Sequence, residues 1–436
     1  MKVKKFGGTS VGSAERIKNV GKLISGCKKD IIVLSAMSGT TNSLLEISTT
    51  IKDSDQAHAT ELIDMLREKY AITINDLYRT ADYKAKATEV IDEIFDELKE
   101  LSKKPYSQQL EKEIVAKGEM MSTNLMNLHL HEEGINSVLL PALDFIKIDK
   151  HGEPIEEFIK EEAAKSIASY PEADLYITQG FICRNEDGEI DNLQRGGSDY
   201  TASLIGAVLG ADEIEIWTDI DGMHNNDPRF VEDTSPVHNL HFEEAAELAY
   251  FGAKILHPTC ILPAREHNVP VRLLNTMDPS AEGTLIENNL EKNAIKAVAA
   301  KDNITAIKIK SGRMLLAYGF LKKVFEIFEK YETSIDMITT SEVGVSLTID
   351  NEKNLTQIEE ELGKLGSVTI DRDMVIICVV GDLEWTNKGF EAAALEALRN
   401  VPVRMISYGG SNYNISFLVR KEDKIKALRL LSYHLF

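Results

Sequence analysis

Apolar runs bounded by glycine turns recur through the first two thirds of the chain, alternating with stretches whose apolar positions repeat at helical spacing. Met1–Phe6 reads as a short strand running into Gly7-Gly8-Thr9-Ser10, after which Ala14–Ser25 carries apolar residues at 17, 20, 23 and 24. Ile31–Leu34 is unbroken apolar sequence, as in a central parallel strand, and ends in Ser35-Ala36-Met37-Ser38-Gly39-Thr40-Thr41-Asn42. Further strands are expected at Ser137–Leu140, Leu175–Gln179, Ile214–Thr218 and Val271–Leu274, with helices between most of them. This alternation predicts an α/β fold with a mainly parallel sheet covered on both faces. Residues 53–133 are charged and helical, with an apolar stripe from Tyr83 to Leu101, and read as a helical insertion.

The polar stretch Glu282–Asn293 marks a domain boundary, beyond which short strands follow a two-fold repeat. One unit has strand Ile304–Ile309, helix Gly319–Tyr331, strands Ser334–Thr340 and Gly344–Ile349, and a helix near Asn354–Leu365. The other has strand Met374–Val380, helix Lys388–Arg399, strands Val403–Tyr408 and Asn412–Val419, and a helix near Glu422–Leu431. Each is a βαββα module without an obvious nucleophile or metal cluster, which suits a sensor.

Composition narrows the partners. The 436 residues, 43% hydrophobic, suffice for two or three domains with proper cores. A net charge of −21 argues against nucleic acid or an anionic membrane, so an anionic ligand must be held by local Lys, Arg or backbone N–H groups. Cys27, Cys183, Cys260 and Cys378 are far apart and form no Cys-x-x-Cys, as expected of free thiols in a reducing compartment. With no signal-peptide or membrane-span pattern, the expected location is the cytoplasm.

The candidate chemistry centres on Leu193–Ala202. The double glycine Gly196-Gly197 lets a backbone pass close to a ligand, and the apolar run Tyr200–Leu209 reads as a helix whose start would favour an anion. Arg195 offers a planar fork for a carboxylate or phosphate. The competing reading makes Ser198 or Asp199 an ordinary helix cap and Arg195 a solvated flank. Strand, glycine turn and helix at residues 1–25 suit a phosphate loop, although the Walker spacing is missing and Lys5 precedes the glycines. Thr41 is either a ligand contact beyond a strand end or a helix cap. Gly118 interrupts a helical pattern before Glu119, at a cost of roughly 1 kcal/mol against alanine, so a packing or functional reason is expected.

Together, Lys5-Phe6-Gly7-Gly8-Thr9-Ser10, Gly118-Glu119-Met120-Met121-Ser122-Thr123, Arg195-Gly196-Gly197-Ser198-Asp199-Tyr200-Thr201-Ala202, Trp217-Thr218-Asp219 and Phe251-Gly252-Ala253-Lys254 closely resemble the aspartokinases of the amino-acid kinase family. The resemblance spans essentially the whole chain. It implies an α/β/α catalytic domain over residues 1–293 and tandem ferredoxin-like ACT domains over 294–436, the first (about 304–366) inserted in the second. It also implies ATP with Mg²⁺, transfer to the β-carboxylate of L-aspartate, and a homodimer through the ACT domains, with a tetramer as the further option. Glu119 and Arg195 would take the ammonium and α-carboxylate of aspartate, with Thr41, Phe181, Gly196, Gly197 and Ser198 shaping the pocket. Lys5, Gly7, Gly8, Ser10, Lys254 and Ile255 would hold the phosphates, with Asp199 orienting Lys5. Thr218, Asp219, His224 and Arg229 fall on the nucleotide side, although His224 stands where a tyrosine is frequent and Lys117 where a histidine often precedes Gly-Glu. No dedicated protein metal site is expected.

Met314, Gly319, Phe320, Leu321, Ser334, Ile335, Asp336, Thr340, Ser341 and Glu342 resemble the effector site of lysine-sensitive members. Asp336 and Glu342 would face the two ammonium groups of lysine. Without the resemblance, Asp336 reads as a turn residue and Glu342 as a hairpin acid. Two other functions remain open at this stage, a sister kinase acting on an acylated amino acid and a catalytically silent amino-acid sensor. Arg195→Lys is expected to weaken aspartate binding with ATP affinity little altered, because a point ammonium cannot reproduce a bidentate fork; calorimetric titration of each ligand checks this.

Overall fold

The computed structural model describes residues 1–193, 196–252, 257–314 and 318–436. They form two compact units, residues 1–222 with 256–288, and residues 223–255 with 289–436.

The strands, in chain order, are β1 (Lys2–Phe6), β2 (Asp30–Leu34), β3 (Ser137–Leu139), β4 (Leu175–Gln179), β5 (Ile182–Arg184), β6 (Ile190–Asn192), β7 (Glu213–Thr218), β8 (Asn239–His241), β9 (Val271–Asn275), β10 (Thr284–Glu287), β11 (Ile295–Lys310), β12 (Ile338–Ser341), β13 (Gly344–Ile349), β14 (Ser367–Gly381), β15 (Met405–Tyr408) and β16 (Asn414–Arg420). In the first unit seven strands lie in the order β3-β4-β2-β1-β7-β9-β10. All neighbours are parallel except β9 and β10. Every residue of β2 and β4 is buried, as expected of strands covered on both faces. The register is marked by a charged ladder on one face: Lys4 Nζ lies 2.8 Å from Glu215, Lys2 Nζ 2.8 Å from Glu213, and Arg272 Nε 2.9 Å from Glu213. A slip of one residue would send these side chains to the opposite face.

The helical insertion resolves into Gln56–Leu77, Ala81–Ser102 and Gln108–Glu132. A hairpin of β5 and β6, not expected from the pattern, follows β4. The helix expected from Tyr200 begins at Gly197, and its cap is Gly196 at φ +75, not Ser198 or Asp199. Thr41 likewise is not a cap: Gly39, at φ +80, precedes the helix Thr40–Lys52.

The second unit carries an antiparallel six-stranded sheet in the order β12-β13-β11-β14-β16-β15. Ala297–Ala300 pairs with 377–380, alongside the strand Asn414–Arg420. The two central strands are longer than the sequence suggested, because β14 begins at Ser367 and β11 is continuous from Ile295 to Lys310. Conversely, the strand expected over Ser334–Thr340 is shorter, with β12 spanning Ile338–Ser341. Two apolar clusters fill the unit, one around Val375, Ile377 and Phe417 and one around Ile307, Val324 and Leu347.

Gly206, in the helix Gly197–Leu209, faces β7 so closely that a Cβ there would lie 2.3 Å from Ile214 Cγ1. Gly206→Ala is expected to lower stability by roughly 1–3 kcal/mol through overpacking, read as a lower urea midpoint with unchanged slope.

Candidate functional site

The ends of β1, β2 and β4 and the start of the helix Gly197–Leu209 converge at the carboxyl edge of the first sheet, where open α/β sheets hold ligands. Contact, not general proximity, defines the convergence. A Cβ on Gly8 would meet the Ala36 carbonyl oxygen at 2.9 Å, and one on Gly180 would meet Ser198 Cβ at 2.3 Å. Gly196 is both left-handed and packed against Cys260, whose Sγ a Cβ would approach to 1.9 Å. Side chains are therefore excluded where backbone must approach backbone.

Lys5, on β1, points its Nζ to within 2.6 Å of Asp199 Oδ1, in the first turn of the helix. Both side chains are largely enclosed, at 11% and 19% exposure. A helix start, a lysine and its orienting acid thus meet in one place, a combination suited to anionic oxygens. Ser198 is joined to the end of β2 by the Ser35 hydroxyl, which donates to Ser198 Oγ at 2.9 Å.

Phe181 is held in a backbone conformation uncommon for a side-chain-bearing residue. Its φ is +68, and the Ile182 N–H donates to the Gly180 carbonyl at 2.7 Å, closing a three-residue turn. The Phe181 N–H donates to Thr201 Oγ1 at 2.8 Å, so the helix helps hold the turn. Strain of this kind, on the order of 1–3 kcal/mol, persists where surroundings over-determine it and clusters at binding sites.

Glu119 is the most informative group. It is 3% exposed, in the long helix Gln108–Glu132. Gly118 allows its approach, since a Cβ there would sit 2.8 Å from Ala36 Cβ. The Ala36 N–H donates to Oε1 at 3.2 Å, while Oε2 is buried with no hydrogen-bond partner among the described residues. Burial raises its pKa to about 7, against a smaller lowering by backbone N–H groups.

The other candidates divide. Gly7 borders Lys5, with a Cβ there 3.2 Å from Nζ. The Ser10 hydroxyl is fully buried and shares a 2.8 Å bond with Thr276 Oγ1, so it faces protein. Thr41 is half-buried in the first turn of its helix. Thr218 is half-buried and Asp219 exposed at the end of β7, with the Asp219 N–H bonded to Thr218 Oγ1. His224 and Arg229 belong to the second unit. There His224 Nδ1 lies 2.9 Å from Thr234 Oγ1, and Arg229 forks onto Asp227 with contacts of 2.6–3.1 Å. Arg195, Lys254 and Ile255 lie outside the described residues.

Among the effector candidates, Gly319 at φ +78 precedes the helix Phe320–Lys330. Ser334, Thr340, Ser341 and Glu342 are exposed, and Met314, Leu321 and Ile335 pack at the edge of an apolar cluster. Asp336 is fully enclosed, bonded to Lys301 and to Tyr250. Sequence reasoning missed both partners, which lie 35 and 86 residues away.

The chain is similar to known proteins over its whole length. The amino acid kinase family pattern matches residues 1–275, and an ACT domain pattern matches 377–435. The chain is 35% identical to aspartokinase 1 of Arabidopsis thaliana, over 97% of this chain and 78% of that one. It is 34% identical to lysine-sensitive aspartokinase 3 of Escherichia coli K12, over 100% and 99% of the two chains. Solved structures of E. coli aspartokinase III superpose over both full chains, with aspartate and ADP at TM-score 0.81 and 31% identity, and with lysine and aspartate at 0.84 and 33%. The fold and these matches define an amino acid kinase followed by ACT modules. Within that class, the chain belongs to the aspartokinase family.

Glu119 sets a pH-dependent stability. Its folded pKa, about 7, lies above the ordinary value of 4.5, so the folded state takes up a proton and stability falls as pH rises from about 4.5 through about 7. The full cost, on the order of 3 kcal/mol, is present only above that window. Glu119→Gln is therefore expected to match the parent near pH 4.5 and exceed it by about 1–3 kcal/mol at pH 8 without ligands, measured by urea unfolding at both pH values.

Proposed function

We propose that this chain transfers the γ-phosphate of ATP to the β-carboxylate of L-aspartate, giving 4-phospho-L-aspartate, and that free lysine restrains it. The carrying observation is the buried, half-partnered Glu119 carboxylate at the edge where Lys5 and Asp199 meet. A substrate ammonium matches its charge and offers a donor for Oε2. An acylated amino acid has no ammonium and would leave that charge buried and unmet. A silent sensor, in turn, has no use for Lys5 held against Asp199 at a helix start.

Roles follow from the chemistry. The aspartate β-carboxylate is already ionised at neutral pH, so attack on phosphorus needs no general base. Catalysis is positioning and charge neutralisation. Glu119 takes the ammonium and Arg195 the α-carboxylate, with Thr41, Phe181 and Ser198 bounding the substrate. The backbone at Gly7 and Gly8 approaches the phosphates, Asp199 aims the Lys5 ammonium at the transferring group, and Lys254 and Ile255 complete the phosphate side. Ser10 acts through Thr276 by fixing the turn after β1. Thr218, Asp219, His224 and Arg229 serve the nucleotide. Mg²⁺ bound with the nucleotide would supply charge neutralisation at the phosphates. Asp199 is engaged by a lysine 2.6 Å away, which suits an ion carried by nucleotide and water in place of a protein carboxylate cage.

Residues 1–293 form the catalytic domain in this reading and residues 294–436 the regulatory one. Asp336 and Glu342 receive the ammonium groups of lysine, and N–H groups at the start of the helix Phe320–Lys330 receive its carboxylate. A homodimer through the ACT domains, with a tetramer as the further option, would put the effector site at a subunit junction. The proposed location is the cytoplasm; among the described residues no helix is long and apolar enough to cross a membrane.

A coupled ADP-release assay with aspartate, acetylglutamate or no acceptor tests the reaction, with turnover expected for aspartate alone. Lys5→Ala is expected to lower kcat about 100-fold or more, while aspartate affinity changes only severalfold, because Lys5 meets charge that develops during transfer. Unchanged turnover would remove Lys5 from the mechanism.

A further inference from the structure

Asp336 is met from two directions. Its side chain is 1% exposed, and Oδ1 accepts from Lys301 Nζ at 2.7 Å and from the Tyr250 hydroxyl at 2.7 Å. Oδ2 is buried with no partner among the described residues. Lys301 also lies 2.9 Å from Asp350 and 4.2 Å from the centre of the Tyr250 ring. Three elements are thereby tied at one carboxylate: the C-terminus of the helix Phe242–Tyr250, strand β11, and the loop before β12.

The tie extends along the chain. Two residues beyond Tyr250, Gly252 adopts φ +116, and a Cβ there would lie 2.2 Å from the Ala300 carbonyl oxygen. Residues 250 and 252 therefore rest on residues 301 and 300.

We propose that the Tyr250 hydroxyl is a latch on the effector site: it holds Asp336 in the lysine-free enzyme, and lysine acts by displacing it. The proposal rests on the assignment of Asp336 to lysine. A ligand ammonium at this carboxylate competes most directly with the weaker of its two donors, the neutral phenol, because the Lys301 ammonium is held by charge on both Asp336 and Asp350. Burial keeps the phenol in its neutral, donating form, with its pKa pushed up to about 12. Loss of its bond frees the last turn of the helix and the Phe251-Gly252 segment that leads to Lys254. By linkage, whatever holds Tyr250 on Asp336 opposes lysine, and lysine opposes that arrangement equally.

Tyr250→Phe tests the latch with the full-length enzyme, since it removes one oxygen and keeps the ring over Lys301. Lysine is expected to bind the variant about fivefold to tenfold tighter by calorimetry and to inhibit it at correspondingly lower concentration. Turnover without lysine should already be lowered toward that of the lysine-bound parent, because the variant lacks the bond that lysine displaces. Amide exchange over residues 242–252 should rise on adding lysine to the parent, and be raised already in the variant without lysine. Unchanged lysine affinity and exchange in the variant, with the parent binding lysine normally, would overturn the latch alone. A parent that binds no lysine would overturn the effector assignment and the latch with it.

Discussion

The first unit depends on how closely one helix approaches the sheet. Gly197–Leu209 lies against β1 and β7 with Gly206 in contact with Ile214, and its first turn presses on Gly180 and, through Gly196, on Cys260. Close packing of this sort tolerates almost no added volume. It also fixes the direction of the first helical turn, which brings Asp199 onto Lys5 and Ser198 onto Ser35. Displacing the helix by the width of a methyl group would break both contacts. The glycines are thus structural in what they exclude and chemical in what they bring together.

A second constraint is charge. In a chain of net charge −21, cations proposed for ligand binding or lying beside the proposed effector site are held by acids of the same chain: Lys5 by Asp199, Arg229 by Asp227, and Lys301 by Asp336. Each is preorganised, and each must be shared or released when an anion or ammonium arrives. Glu119 is the converse, an acid buried without its cation. Its cost in the free protein becomes binding energy for whichever ligand brings one, because pairing removes the desolvation penalty.

Much of this was legible in the sequence, and the exceptions have physical causes. Buried strands such as Ile31–Leu34 announced themselves by unbroken apolar runs, whereas the grouping of Lys5, Glu119 and Asp199 came from the resemblance to the aspartokinases. The helix start was misplaced because Ser198 and Asp199 are good caps by side chain, whereas contact with Cys260 demanded a left-handed glycine at 196. The first half of β14 was missed because residues 367–373 are largely polar and half-exposed, and are ordered by pairing with β11. The turn at Phe181 has no local signature, since it is stabilised by Thr201, twenty residues away. Ser10 was read as facing a ligand because its partner, Thr276, is 266 residues distant.

The paired strands β11 and β14 have a consequence for how the regulatory region comes into being. Residues 295–301 are made first, yet their partners, 376–381, emerge only after the whole intervening module of helices and strands. The first half of β11 thus waits for a loop of about 75 residues to close, a cost that grows only slowly with loop length but must be met before the pairing contributes. Where the two halves meet, the register slips between Lys301 and Ile304, with Asn303 and Asp373 both in left-handed conformations. That joint separates a module that can assemble from contiguous sequence from one that cannot. During synthesis all the strands of the inserted module are made before residues 376–381, so the second half of β11 has its partners available while the first half still lacks its own.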